Sequence, residues 1–138
     1  MTTRNLLDPE ILPALDAFPQ FSLAKEGLPA IRQAAARLIQ LADADVHGVG
    51  RREISVSGVN SHDPSVRCLV YEPRNRAAPS GAYLHLHGGG YILGSPEGSD
   101  ERNVRLSRQL GIVVVSVDYR LAPEHPVPAA MDDSFAVL

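Results

Sequence analysis

The sequence predicts an α/β fold, in which one β-sheet carries helices on its faces. Two observations lead to this expectation. Apolar residues recur at helical spacing over residues 1–46, whereas polar and apolar residues alternate as in strands once the chain passes Val46. After two strand-like segments, the rest of the chain reads as strand, helix, strand and helix. No internal repeat is visible, and 138 residues suffice for one ordinary domain.

The composition is that of a globular protein without a bias toward a charged partner. Apolar residues make up 44% and charged residues 21% of the chain, with a net charge of −3 and a pI of about 5.9. This balance argues against nucleic-acid binding. No apolar run approaches the roughly 20 residues of a membrane span, and charged residues interrupt the N-terminus where a secretory signal would be apolar. With one cysteine and no internal disulfide, we expect a cytoplasmic protein.

The N-terminal segment, residues 1–46, is predicted to form helices. Asp8 followed by Pro9 is a typical start, because aspartate caps the first turn and proline fits the first helical position. Ile11 and Leu15 then fall on one face. A longer helix follows, with an apolar stripe at Leu28, Ile31, Ala35, Leu38 and Ala42. We expect this stripe to bury against the rest of the protein. A helical lid over a pocket is the alternative that the pattern leaves open.

Four strands and two further helices follow in the remaining sequence. The predicted strands are Arg52 to Ser57, Val66 to Tyr71, Ala82 to His87 and Ile112 to Val117. The last of these is apolar at every position except Ser116, which is typical of a strand covered on both faces. A helix is predicted from Asp100, as the N-cap, to Leu110, with Gly111 placed to end it. A final helix begins near Ala129 and has no end signal before Leu138.

The strongest motif is His87-Gly88-Gly89-Gly90, which comes directly after a predicted strand. Successive glycines cost backbone entropy, so a chain keeps them where the backbone must bend sharply or approach another group closely. At the end of a strand in an α/β sheet, such a turn can point several N–H groups into a crevice. There they would stabilise the oxyanion of an acyl-transfer intermediate. A flexible or phosphate-binding glycine turn is the alternative, since short glycine motifs often arise by chance.

A second motif runs from Asp118 to Pro126 and reads DYRLAPEHP. Taken alone, its charges, tyrosine and prolines predict a rigid loop held by ion pairs. Taken with the glycine motif, it closely resembles the bacterial hormone-sensitive-lipase-like family of α/β-hydrolases. That family carries HGGG followed by an aromatic residue, here Tyr91. It then has a stretch similar to YRLAPEHPVPAA at Tyr119 to Ala130, with Val127 where phenylalanine is commoner. The resemblance is strong over about residues 80–134 and looser toward the N-terminus.

This resemblance implies an α/β-hydrolase fold, of which the chain would hold the N-terminal portion. Cap helices would occupy residues 1–46, and the first half of the core domain, with the first four strands of the central sheet, would occupy residues 47–138. The resemblance also implies a carboxylic-ester hydrolase, a serine esterase with lipase-like relatives. Such an enzyme needs no metal or organic cofactor and acts on a small-molecule ester.

Roles for individual residues follow from the resemblance where the motifs match. The backbone amides of Gly89 and Gly90, next to Gly88, would form the oxyanion hole. His87 would orient that loop without being the catalytic base, and Tyr91 would border the substrate pocket. The residues implied to brace the loops are Asp118, Arg120 and Glu124.

The family's nucleophile is missing from these 138 residues. No G-x-S-x-G motif is present, and Gly94 to Gly98 has its serine one position early and precedes a helix. We therefore expect the serine, the acid and the histidine base to lie beyond Leu138, so that the isolated chain is inactive and needs a missing C-terminal half. Two alternatives stay open: a non-catalytic small-molecule-binding protein on the same fold, and a half-domain with an interaction role.

The same topology predicts an exposed sheet edge. In α/β-hydrolases the strand that ends at HGGG usually pairs on one side with the nucleophile-bearing strand. Without that neighbour, Ala82 to His87 would offer unpaired backbone groups that invite intermolecular pairing. The apolar stripe at Phe135 and Leu138 would also be exposed. We expect the isolated chain to be aggregation-prone, molten, or stable only with a complementary chain.

Four weaker patterns have simpler explanations. Ser22 to Lys25 fits S-x-x-K, a nucleophile motif, but its companion motifs are absent. His85 and His87 point to one strand face and could bind a metal, yet no third ligand is suitably spaced, so no metal is expected. Cys68 in an apolar strand is expected to be an inert buried thiol. His125 lacks a serine partner at recognisable spacing, which favours a structural role.

Overall fold

A four-stranded mixed sheet organises the protein. The structure is a computed structural model that describes residues 3–17, 27–39, 41, 47–75 and 81–138. Its strands are β1 (Val49–Val56), β2 (Val66–Pro73), β3 (Ala82–Leu86) and β4 (Val113–Asp118). They lie in the order β1-β2-β4-β3, with β2 antiparallel to both of its neighbours and β3 parallel to β4. The predicted α/β sheet and its four strands are confirmed, with end points shifted by up to three residues.

Four α-helices accompany the sheet in the described part of the chain. They are α1 (Leu12–Ala17), α2 (Leu28–Leu38), α3 (Asp100–Leu110) and α4 (Ala129–Ala136). The connection from β3 to β4 passes through α3, because two parallel strands need a long crossover. Within the described residues, no helix combines the length and the apolar character needed to cross a bilayer.

The two faces of the sheet bury separate apolar clusters. Beside α3 the cluster consists of Val49, Leu69, Tyr71, Val104 and Val114. Beside α4 it consists of Val66, Cys68, Val117, Tyr119 and Ala130. Since side chains of a strand alternate between faces, Val114 and Val117 of β4 serve opposite clusters, and both are fully buried. The prediction of a strand covered on both faces is confirmed for β4.

The start of α3 differs from its prediction. Asp100 is the first residue of the helix and not its N-cap, and it is 1% exposed. Its carboxylate accepts hydrogen bonds from Nη1 of Arg51 at 2.8 and 2.9 Å and from the Tyr71 hydroxyl at 2.8 Å. A buried carboxylate is tolerated only when such partners are present, so β1 and β2 determine this position. Gly111, with a φ of 64°, ends the helix as predicted.

The first N-terminal helix begins as predicted but buries less apolar surface. The side chain of Asp8 accepts a hydrogen bond from the amide of Glu10 at 2.9 Å, which confirms it as the cap of the first turn. Ile11 and Leu15, on the predicted apolar face, are 50% and 41% exposed. This face therefore packs only loosely against the described residues.

The apolar stripe of α2 is buried at its beginning only. Leu28 is 4% exposed, whereas Leu38 is 82% exposed. The predicted continuation of this helix to Ala42 lies outside the described residues. The prediction that the whole stripe buries against the protein is therefore wrong. The helix is instead attached by the polar side chain of Arg32, which lies off the stripe.

Strand β3 forms one edge of the sheet, as predicted. Among the described residues it pairs with β4 alone. Leu86 of β3 is 48% exposed, and the same cleft beside β3 is lined by three apolar residues that are more exposed still, Met131, Phe135 and Leu138. These four residues form an apolar surface, here called the edge surface.

Candidate functional site

The glycine loop leaves the end of β3 and turns sharply. Gly89 adopts a φ of 134°, and a side chain there would overlap the carbonyl oxygen of Leu93. Its own carbonyl accepts hydrogen bonds from the amides of Ile92 and Leu93 at 3.2 and 3.0 Å, which closes the turn. Gly90 adopts a φ of 61°, with open space where a side chain would be. Of the two, Gly89 alone is required by space as well as by backbone conformation.

Two backbone donors of this loop are free. The amide N–H groups of Gly89 and Gly90 make no hydrogen bond to any residue that the structure describes. Both glycines are exposed and line a largely apolar cleft of about 530 Å³, together with Gly88, Tyr91 and the edge surface. Adjacent N–H donors beside an apolar cleft are the arrangement that stabilises a carbonyl oxygen as it gains charge.

The side chain of His87 is buried and contacts the backbone of the glycine loop. It is 6% exposed, and its ring stacks on the ring of Tyr119. Its Nδ1 lies 2.9 Å from the carbonyl oxygen of Gly88 and 3.2 Å from the Tyr119 hydroxyl, and in the tautomer with hydrogen on Nδ1 the ring donates to that carbonyl. The Tyr119 hydroxyl donates to the carbonyl oxygen of His87. The other ring nitrogen, Nε2, is buried and has no partner among the described residues, which favours an orienting role over that of a base.

Gly94 belongs to this site and is absent from the sequence-based prediction. It adopts a φ of 97°, and a side chain there would overlap the carbonyl oxygen of Gly88 and Nδ1 of His87. The chain therefore returns after the glycine loop and packs directly against it. A signal was present, because Gly94 opens the glycine-bounded segment that ends at Gly98. The spacing of Gly94 and Gly98 can be compared only with that of a nucleophile elbow. The structure shows a short 3₁₀ turn at Pro96–Ser99 there instead.

Tyr91 follows the loop in an unusual conformation. Its φ of 63° is the one positive value outside glycine among the described residues. The side chain is 57% exposed and lines the cleft beside Gly90. Its ring lies 6.1 Å from the ring of Tyr119, and its carbonyl oxygen accepts a hydrogen bond from the amide of Ala122 at 2.9 Å.

Arg32 of α2 reaches the same loops and is also absent from the prediction. Its Nε donates to the carbonyl oxygen of Ile92 at 2.9 Å, and its Nη2 donates to that of Ala122 at 2.7 Å. The carboxylate of Glu124 accepts from Nη1 at 2.9 Å and from Nη2 at 3.1 Å. The hydrogen bond from Arg32 lowers the pKa of Glu124. Polar contacts of one side chain thus attach α2 to the loops around the cleft.

The three residues implied to brace the loops each form an ion pair. The pairs are Asp118 with Arg67 at 3.0 Å, Arg120 with Asp133 at 2.8 Å, and Glu124 with Arg32 at 2.9 Å. Asp133 of α4 is 2% exposed and also accepts a hydrogen bond from the amide of Arg120 at 2.8 Å. Removing either member of that pair would leave a charge in a poorly solvated position.

A serine and a histidine lie within hydrogen-bonding distance, but not in the cleft. Nδ1 of His85 is 2.8 Å from Oγ of Ser116 on the neighbouring strand. His85 is 4% exposed and Ser116 is fully buried, so a substrate cannot reach the pair. Burial lowers the pKa of His85, and the positive charge of Arg102 lowers it further. The pair belongs to the core and is no nucleophile–base dyad.

The weaker sequence patterns lie apart from the cleft or cannot be located. Among the described residues, no group of three or more potential metal ligands occurs. Cys68 is fully buried, as predicted, and burial raises the pKa of its thiol to about 11. His125 is exposed. The S-x-x-K pattern at Ser22 to Lys25 lies outside the described residues.

Known proteins match this chain at the level of sequence. The profile of the α/β hydrolase fold matches residues 83–138, which include the glycine loop and α4. Esterase LipI of Mycobacterium tuberculosis (strain ATCC 25618 / H37Rv) is 35% identical over 134 residues, which cover 94% of this chain and 40% of LipI. Carboxylesterase NlhH of the same strain is 37% identical over 138 residues, which cover 96% of this chain and 40% of NlhH.

Solved structures of esterases share the fold. Bacterial heroin esterase superposes with a TM-score of 0.84 at 40% identity, over 99% of this chain and 43% of that protein. A hyperthermophilic esterase from the archaeon Pyrobaculum calidifontis gives a TM-score of 0.74 at 36% identity, over 95% of this chain and 42% of that protein. The chain spans about 40% of the length of LipI and of NlhH. By its sheet and its relatives, the chain belongs to the α/β-hydrolase family and is similar to the hormone-sensitive-lipase-like esterases.

Proposed function

We propose that this chain supplies the oxyanion-hole loop of a carboxylic-ester hydrolase. The observation that carries the proposal is the pair of unpartnered amide N–H groups at Gly89 and Gly90, beside an apolar cleft. On this proposal, residues 1–46 are cap helices and residues 47–138 are the first half of the hydrolase core. The substrate is a small-molecule ester, because the two adjacent free donors of Gly89 and Gly90 suit one carbonyl oxygen.

The proposed chemistry is acyl transfer through an acyl-enzyme. A serine oxygen attacks the ester carbonyl carbon while a histidine takes the serine proton, and the carbonyl oxygen becomes an oxyanion. The amides of Gly89 and Gly90 donate to this oxygen, so they interact most strongly where the negative charge develops. The histidine then protonates the departing alcohol, and water releases the acid from the enzyme by the same two steps.

The serine, the histidine and the acid are proposed to come from polypeptide outside these 138 residues. LipI, of which this chain matches 40%, is long enough to contain them. The open side of β3 and the edge surface are where that polypeptide would pack. A strand placed parallel to β3 there would end beside the glycine loop, where a nucleophile has to be.

The test uses a joined protein, in which residues 1–138 are followed by the part of bacterial heroin esterase beyond the 43% that this chain matches. We expect the joined protein to hydrolyse p-nitrophenyl acetate with saturation kinetics. The 138-residue chain alone should show no turnover above background, because it lacks the nucleophile. A folded joined protein that binds the ester without hydrolysing it would favour a non-catalytic binding protein instead.

Ser22→Ala in the isolated chain serves as the control for the S-x-x-K pattern. Saturable hydrolysis by the isolated chain that survives this substitution would contradict the proposal. Hydrolysis that the substitution abolishes would assign the nucleophile to Ser22 and overturn the need for a further serine.

A further inference from the structure

One arginine side chain ties two loops together beside the cleft. Arg32 donates to the carbonyl oxygens of Ile92 and Ala122 at 2.9 and 2.7 Å, and to both oxygens of Glu124. All three nitrogens of the guanidinium are used. Only arginine carries this planar fork of donors, so no other side chain could make the same set of contacts.

The loop that Arg32 holds contains the strained residue Tyr91. A φ of 63° is uncommon for a residue with a bulky side chain, and it persists only when the surroundings impose it. The carbonyl of Tyr91 is bound by the amide of Ala122 at 2.9 Å. The carbonyls of Ile92 and Ala122, next to those two groups, are the ones that Arg32 binds. Arg32 therefore holds both sides of the contact that fixes Tyr91.

We propose that Arg32 is a positioning residue that sets substrate selectivity by holding the Tyr91 ring against the cleft. The inference rests on the proposed ester hydrolysis. The Tyr91 ring is 57% exposed and lines the cleft beside Gly90, so it can contact the group attached to the reacting carbonyl. A flat apolar ring favours another flat ring by stacking, which makes aryl-bearing neutral esters the preferred class.

The contacts to the carbonyl oxygens carry this role, and the charge pair does not. The Glu124 side chain is 51% exposed and that of Arg32 is 26% exposed, so water screens their attraction. The hydrogen bonds to the two carbonyl oxygens are partly buried and act directly on the backbone beside Tyr91. Substitutions at the two ends of the ion pair should therefore have different effects.

A double-mutant cycle in the joined protein tests the proposal. The readout is the ratio of kcat/KM for benzyl acetate to that for propyl acetate, two esters with similar leaving alcohols. Tyr91→Ala should lower this ratio about three- to tenfold, the usual range for losing one aromatic contact. Arg32→Ala should lower it by a similar factor, and the double variant should lower it no further than the larger single effect. Multiplied effects, or an equal loss on both esters from Arg32→Ala, would overturn the proposal.

Three further variants keep the test decisive if Arg32→Ala does not fold. Glu124→Gln keeps the carbonyl contacts and should leave the ratio within about twofold, whereas Arg32→Lys loses the fork and should lower it. Arg37→Lys, on the exposed part of α2, should leave the ratio unchanged. A shift with Glu124→Gln as large as with Arg32→Lys would overturn the inference. No turnover of p-nitrophenyl acetate, benzyl acetate or propyl acetate by the unsubstituted joined protein would overturn the proposed function itself.

Discussion

The ring of His87 stacks on the ring of Tyr119, with centroids 4.1 Å apart and planes 11° apart, and the Tyr119 hydroxyl donates to the backbone carbonyl of the same histidine. One tyrosine thus holds both the side chain and the backbone of His87. Because Tyr119 follows directly after β4, the glycine loop is fixed to a strand in the interior of the sheet as well as to its own edge strand.

Tyr119→Phe should destabilise the joined protein by about 1–2 kcal/mol, because the buried carbonyl of His87 loses its donor while the ring stack remains. Urea unfolding measures the change in the free energy of unfolding. Tyr83→Phe is the matched control, since the Tyr83 side chain is 40% exposed and its hydroxyl makes no hydrogen bond to a described residue. Equal losses in the two variants would contradict the role assigned to Tyr119.

Gly89→Ala should lower kcat of the joined protein by about 10²–10³, the usual effect of losing an oxyanion donor. An added side chain would overlap the carbonyl oxygen of Leu93, so the loop must shift and turn its N–H away from the substrate. The side chain added by Gly90→Ala would lie in open space, so we expect a smaller loss of kcat. Gly81→Ala, also in open space and without a positive φ, should leave kcat unchanged. A Gly89→Ala enzyme with normal kcat would remove this amide from the mechanism.

Stability of the joined protein should fall as the pH drops below about 6.5, the ordinary pKa of histidine. Burial lowers the pKa of His85 in the folded state, so between the folded and unfolded pKa values the unfolded chain binds more protons. The contribution of neutral His85 to stability is therefore complete above the pKa of this histidine in the unfolded chain. It is lost as the pH falls toward its pKa in the folded protein.

Urea midpoints measured from about pH 7.5 to about pH 5.5 check this dependence, since side chains other than histidine titrate little in that range. His85→Gln removes the titrating group and should flatten the dependence. His62→Gln, at an exposed position, should keep it. An unchanged pH dependence in His85→Gln would show that another group is responsible.

The isolated chain should self-associate or melt without a sharp transition, because β3 and the edge surface present unpaired backbone groups and exposed apolar side chains. Leu86→Lys places a charge on this edge and should raise the monomer fraction in gel filtration. Leu110→Lys, at a 62% exposed site on α3, is the matched control and should not. A monodisperse monomer with a cooperative thermal transition in the unsubstituted chain would rule the prediction out.

The strands and the glycine loop could be predicted because their signals are local. Alternation in β1 and the largely apolar run of β4, broken within Val113 to Val117 by Ser116 alone, follow from side-chain direction in a strand. Three successive glycines mark a tight turn on their own. Gly111 ends α3 for an equally local reason, its left-handed φ of 64°.

The contacts of Arg32 could not be predicted, because its partners lie 60 to 92 positions away in the sequence. The prediction of Asp100 as an N-cap was wrong for a related reason. An aspartate before a helix is normally read as a cap, but here Arg51 and Tyr71, from two other strands, pair with it. The requirement for glycine at position 94 could not be predicted either, because it arises only from the packing of His87 against that residue in the folded protein.

Within the described part of the chain, β3 is attached to the sheet by a single ladder of five residue pairs, whereas β4 has a hydrogen-bonded strand on each side. Segments with fewer backbone hydrogen bonds open locally at lower free energy than the centre of a sheet. The two free donors therefore sit at the end of an edge strand, whose amide hydrogens we expect to exchange faster than those of β4. A polypeptide that pairs with the open side of β3 would also slow this local opening. Completing the sheet would therefore fix the positions of the Gly89 and Gly90 amides at the same time.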